Sequence, residues 1–209
     1  MRTSQITALF TGLLSAILFA PLFAQGPDAL SSGSEWTQYR GNLAGTGFSP
    51  LTQINQDNVA NLDSAWSYSL LANALNTDEN PRAPNSQVTP IVVDSVMYLP
   101  AADRVIALDP VSGDELWTHR VLESAASRRG VSYWPGDNGF RPRIFYTAGR
   151  RLVALDAATG ELASEFGDSG EIDMQIPYNS VAMVFENTVI VGANTPRGAE
   201  GGILSLIHI

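Results

Sequence analysis

The sequence predicts an all-β chain built from propeller blades, on three observations. Residues 105–117, VIALDPVSGDELW, recur 47 residues later as 152–164, LVALDAATGELAS. Residues 90–99, PIVVDSVMYL, recur 92 residues later as 182–191, AMVFENTVIV, close to two of the shorter periods. Each copy also has the chemistry of strand, tight turn, strand. Alternating apolar residues make the strands, and Asp109 to Gly113 or Asp156 to Gly160 turn the chain back. The Asp side chain accepts backbone N–H bonds across the turn and Gly supplies the positive φ that closes it. Repeats at such a period mark blades, each covering its neighbour in a stacked array.

The elements follow in order. Arg2 and the uncharged, mostly apolar run from Ile6 to Phe23 predict a secretory signal over residues 1–24, cleaved at Ala24-Gln25. A spanning anchor is the rival, and Pro21 with the small Ala24 favours cleavage. Residues 25–34 read as a Gly/Pro/Ser-containing linker, and residues 35–209 as propeller. Trp36 and Tyr39 open a segment in which Thr52 or Asn55 caps a short helical turn ending near Leu62. Residues 65–69 read as a strand with Trp66 inward, and residues 71–86, polar and rich in Pro and Asn, as a loop. One blade is expected over residues 88–120, a second over 130–166, and a third opens near Ser180.

About two and a half blades cannot close a ring, which takes four or more. They leave open strand edges and an apolar face. The chain is therefore expected to be the front of a longer protein. Residues 204–209, with Ile207 where the repeat has Asp, are expected not to belong to the native pattern.

Composition narrows the partners. The twelve basic residues are all Arg, against 21 acids, for a formal net charge of −9, and loss of the leader would deepen it. No basic patch beyond Arg128-Arg129 and Arg141 to Arg151 offsets that balance, which argues against nucleic acid or anionic lipid. The absence of Cys excludes disulfides, thiolate metal sites and a CxxCH haem attachment within this stretch.

The densest chemical motif is SRRGVSYWPGD, residues 127–137. Two adjacent Arg present planar paired donors suited to a carboxylate, beside Tyr133 and Trp134. The plainer alternative is a surface Arg pair with Trp134 packed between blades. Together with WTQYRGNLAGTGFSPLTQINQDNVANLDSAW, QVTPIVVDSVMYLP and the ALDxxTGxxxW hairpin, this motif resembles the pyrroloquinoline quinone (PQQ) dependent dehydrogenases. The resemblance runs from Glu35 to about Gly202. It is closer to the glucose, quinate and glycerol branch than to methanol dehydrogenase, since no vicinal Cys pair precedes Arg129. Trp117 fills the hairpin's tryptophan position, whereas Ser164 stands there in the second copy.

The resemblance implies an eight-bladed propeller with PQQ in its central funnel and Ca²⁺ on the quinone. Ca²⁺ would act as a Lewis acid, and a carboxylate base would take the alcohol proton while hydride passes to the quinone. Carried over by position, Arg129 pairs with the cofactor. Gln87 falls where the family usually has Glu, and Ser180, or Asn179 beside it, where a small hydroxyl contacts PQQ. Asn194 and Glu200 are the candidates for calcium. The catalytic Asp and remaining metal ligands would lie beyond residue 209. The activity implied is periplasmic oxidation of a sugar or alcohol, with electrons passed to ubiquinone or cytochrome c. The rival is a non-enzymatic propeller of the same repeat, an outer-membrane assembly or protein-binding scaffold.

Overall fold

A computed structural model of the chain describes residues 35–70, 87–194 and 203–209, with the backbone only for 203–208. The leader over 1–24, the linker over 25–34, the loop over 71–86 and Glu200 lie outside the described residues. Three antiparallel sheets follow one another along the chain. The first is a meander of β1 (Ile91–Val93), β2 (Val96–Pro100), β3 (Arg104–Leu108) and β4 (Glu115–Arg120). The second repeats it with β5 (Ser132–Trp134), β6 (Arg143–Ala148), β7 (Arg151–Asp156) and β8 (Glu171–Asp173). The third has β9 (Met183–Phe185), β10 (Thr188–Gly192) and β11 (Ile203–His208), in the order β11-β10-β9. This is part of a β-propeller, two four-stranded blades and three strands of the next, as the repeats predict.

The turns form as their residues require. Asp109 Oδ1 accepts the N–H groups of Val111 and Ser112 at 2.7 and 3.0 Å, and Asp156 Oδ1 those of Ala158 and Thr159 at 2.9 and 3.1 Å. The β1–β2 hairpin turns on Asp94 and Ser95, at φ of 49° and 62°. Positive φ at both central residues matches the twist of paired strands.

The strands VIAL and LVAL do not show the expected alternation of apolar with polar residues; the runs are continuous because both faces of these strands are covered. From β3, Val105 and Ala107 meet Ile144, Tyr146, Val153 and Leu155 of the second sheet. Ile106 and Leu108 point the other way, onto Trp66 and Leu70. In the second sheet Phe145, Leu152 and Ala154 face Val184, Val189 and Val191 of the third. Full burial of each such side chain stabilises by about 1.5–3 kcal/mol, so the interfaces between blades are the core.

Tryptophans staple neighbouring sheets. Trp117 Nε1 donates to Ala157 O at 3.0 Å, and its ring lies on Gly160, where an added Cβ would come 2.5 Å from Cε3. Trp66 repeats the arrangement on the first blade, donating to Pro110 O at 3.1 Å and covering Gly113.

Several sequence expectations are corrected. Residues 65–69 carry no ladder, although Trp66 and Tyr68 do turn inward. The short helix is a single 3-10 turn, Val59–Asn61, without a side-chain cap, and Asn55 Oδ1 instead accepts the N–H of Asp57 at 2.9 Å. The second blade does not end at Phe166; its outer strand is β8. With Ser164 exposed where a tryptophan would dock, residues 163–170 turn back and Phe166 is buried edge-on to Phe145, with ring centroids 5.2 Å apart. Ile207 pairs with Val189 as Leu108 pairs with Met97, so it holds the station of Leu108 rather than that of Asp109. A register shift between Val191 and Gly192 moves it there.

Candidate functional site

The site forms where the chain crosses between sheets. Thr89 N–H donates to Arg129 O at 2.9 Å and Gln87 N–H to Arg128 O at 3.2 Å, which lays residues 87–89 beside the RRG segment. Gly130 follows at a close approach. A Cβ there would sit 3.0 Å from Thr89 O and 3.1 Å from Val181 Cγ2, so Gly eases the close approach of the segments that lead into β1, β5 and β9.

Thr147, buried at the end of β6, fixes the two polar arms of the site relative to each other. Its carbonyl accepts Ser127 N–H at 2.8 Å, and its hydroxyl donates to Ser180 O at 3.1 Å. Ser127 Oγ in turn accepts the N–H of Arg129 at 3.3 Å. Ser132 Oγ donates to Ala182 O, a further tie between the second and third sheets. The Arg129 and Ser180 segments are thus held by one short network anchored in β6.

From this frame three of the expected residues meet. Arg129 Nε donates to Gln87 Oε1 at 3.2 Å, and Nη1 donates to Ser180 Oγ at 3.3 Å. Nη2 and the second hydrogen of Nη1 have no protein acceptor among the described residues. Arg104, Arg141, Arg143, Arg150 and Arg151 each pair with a carboxylate, whereas among the described residues Arg129, like Arg40, Arg120 and Arg128, has none within ion-pair distance; of these four only Arg129 lines the cavity that Ser180 shares. Arg129 and Ser180 open onto a cavity of about 500 Å³ that Gln38, Tyr39, Asn42 and Met183 also line.

The other expected residues stand apart. Asn179 is exposed beside Ser180 and does not line the cavity. Trp134 does not flank the Arg pair. It is 2% exposed between the second and third sheets, donates to Asn187 Oδ1 at 3.0 Å, and the cation over its ring is Arg143 at 5.2 Å. Packing between blades is the correct reading for Trp134. Tyr133 packs toward the first sheet, and burial pushes its phenol up, so it stays protonated at neutral pH.

Asn194 is exposed and donates its backbone N–H to Pro177 O at 3.2 Å. No group of three or more His, Cys, Asp or Glu side chains that could hold a metal occurs among the described residues. No helix among them is long and apolar enough to cross a membrane. Sequence reasoning missed Thr147 and the 38–45 wall. Thr147 sits inside an ordinary strand, and the wall has no repeat to reveal it.

The all-antiparallel sheets, each covering the next, define the chain as part of a β-propeller, with Arg129 and Ser180 facing a cavity of mixed polar and apolar lining. Residues 36–201 match the PQQ family model described as glucose/ethanol/alcohol dehydrogenase, beta-propeller domain. The chain belongs to this family. It is 32% identical over 217 aligned positions to 1-butanol dehydrogenase (cytochrome c) of Thauera butanivorans, covering 99% of this chain and 29% of that protein. It is 30% identical over 196 positions to quinoprotein glucose dehydrogenase A of Acinetobacter calcoaceticus, covering 77% and 24%. The crystal structure of quinohemoprotein alcohol dehydrogenase from Comamonas testosteroni superposes with a TM-score of 0.60 at 28% identity, over 76% of this chain and 23% of that one. The chain thus spans under a third of the length of each of these relatives.

Proposed function

We propose that this chain supplies the first blades of a PQQ-dependent dehydrogenase that oxidises a sugar or alcohol at a CH–OH group. The observation that carries the reading is the unpaired Arg129 guanidinium, aimed with Ser180 into a cavity in a chain of this family. A guanidinium with free N–H donors and no acid beside it is suited to a carboxylate, and PQQ carries three. The residues present fit one edge of such a molecule. Arg129 offers the charge and Ser180 a rotatable hydroxyl, while Gln87, exposed and outside the cavity lining, holds the guanidinium through its carboxamide oxygen.

When bound, PQQ supplies the two-electron acceptor for the hydride of the alcohol carbon. The part of this chain is to bind and orient. Arg129 neutralises carboxylate charge at a fixed place. Gln87 holds the guanidinium, while Thr147 holds the backbone of Ser127 and of Ser180, and Ser127 Oγ in turn holds the Arg129 N–H. Gln87 serves where a Glu would add a negative charge next to the cofactor's own.

Calcium enters this reading only from the resemblance. Asn194 alone does not make a metal site, and Glu200 lies outside the described residues. The reading includes export to the periplasm by the leader over 1–24, and electron delivery to ubiquinone or cytochrome c. The test is PQQ binding to the full-length protein by equilibrium dialysis. Arg129→Ala should lose about 1.5–3 kcal/mol of binding, the value of a hydrogen bond to a charged group, and Arg128→Ala much less. Equal affinity of Arg129→Ala and wild type would refute the assignment.

A further inference from the structure

The cavity beside Arg129 has a second wall, formed by the segment over residues 38–45. The wall is held in place by its own contacts. Trp36 exchanges backbone N–H bonds with Val92 in both directions at 2.9 Å, and Glu35 Oε2 accepts the N–H of Asp94 at 2.9 Å. The Trp36 ring packs on Gly41, where a Cβ would come within 3.1 Å, and Gln38 O accepts the Gly41 N–H at 2.8 Å. Gln38 therefore sits two residues from a strand-like anchor on β1, on backbone pinned from both ends.

The polar side chains of this wall divide cleanly. Asn42 is occupied by its own turn, with Nδ2 donating to Thr46 Oγ1 at 2.9 Å and Oδ1 accepting Thr46 N–H at 3.2 Å. Arg40 donates from Nε to Gly45 O at 2.9 Å. Tyr39 is 45% exposed. Gln38 is half-buried, lines the cavity, and makes no side-chain hydrogen bond among the described residues. A half-buried carboxamide has two donors and an acceptor to satisfy, and the cavity that holds Arg129 and Ser180 is the space it faces.

We propose that Gln38 is a further ligand-contacting residue: its carboxamide donates into the cavity to the polyanionic ligand that Arg129 and Ser180 hold there. The proposal rests on the reading of that cavity as the cofactor site and extends it to the N-terminal segment. Two walls then grip the ligand, one cationic and one neutral. The neutral wall contributes orientation without adding charge, on backbone already fixed before the ligand arrives.

The test is equilibrium dialysis of PQQ against the full-length protein in four versions: wild type, Gln38→Met, Gln38→Glu and Arg129→Ala. Gln38→Met keeps the side-chain length and removes the polar group. It should weaken PQQ binding about tenfold, the loss of one hydrogen bond to a charged acceptor. Gln38→Glu should weaken it further, because a carboxylate would then face carboxylates. If Arg129→Ala binds like wild type, the cofactor reading of the cavity fails, and this proposal with it. If Arg129→Ala is weakened while both Gln38 variants bind like wild type, the cofactor reading stands and this proposal is overturned. Loss of the β-sheet circular dichroism signal in Gln38→Met would also overturn it, by making Gln38 a structural amide.

Discussion

Gly160→Ala tests how one blade is locked to the next. Gly160 has φ of +73°, and an added Cβ would lie 2.5 Å from Trp117 Cε3 and 2.7 Å from Cδ2. The left-handed backbone costs an alanine about 1–2 kcal/mol. Forcing a methyl group into the indole adds about 1–3 kcal/mol, for a total of about 2–5 kcal/mol. Trp117→Ala removes a half-buried ring, its bond to Ala157 O and its contact with Tyr98, whose ring centroid is 5.9 Å away. The expected loss is about 2–4 kcal/mol, below that of a fully buried aromatic. In the double variant the clash has no partner and only the backbone strain remains. It should therefore be less destabilised than the two singles together by about 1–3 kcal/mol. The assay is urea unfolding of the full-length protein followed by circular dichroism. Strict additivity, or a Gly160→Ala protein as stable as wild type, would refute the stapling argument.

Two further predictions follow from the same contacts. Gln87→Glu should keep the fold and weaken PQQ binding, because the new carboxylate would pair with Arg129 in competition with the cofactor's own, the exposed position limiting the effect to about fivefold, ~1 kcal/mol; loss of the circular dichroism signal would instead make Gln87 a structural amide. His119 is half-buried with Nδ1 against Gly160 O at 3.0 Å, so burial lowers its pKa while that carbonyl opposes the shift only in part. The unfolded chain then binds the proton more readily, and stability falls as pH drops below the unfolded value of about 6.5. Melting temperatures of wild type and His119→Gln between pH 7.5 and 5.5 should diverge, with the variant showing the shallower slope; parallel slopes would remove His119 as the cause.

The blades were legible in the sequence because their rules are local. Asp109 and Asp156 turn the chain by bonds to residues two and three positions on, and VIAL or LVAL needs only a cover on each face. Arg129, Gln87 and Ser180 could be brought together only through the family resemblance, since 42 and 51 residues separate Arg129 from its two partners. What stayed hidden depends on neighbours across sheets. Trp134 carries the same sequence signal whether it faces a ligand or a blade, and the apolar side chains of the third sheet decide for the blade. The end of the second blade was misread because Ser164 removes the tryptophan that defines the outer strand, and Phe166 fills the core from a different register. The wall over residues 38–45 follows no period at all. Its place is set by the Trp36 ladder to β1 and the Asn42–Thr46 turn.

The most direct measurement is the structure of the full-length protein with PQQ bound. The account predicts a PQQ carboxylate at hydrogen-bonding distance, about 2.7–3.2 Å, from the Arg129 guanidinium, with Ser180 Oγ on the same molecule. A cofactor bound elsewhere, with Arg129 turned to solvent or paired to an acid of a later blade, would contradict it.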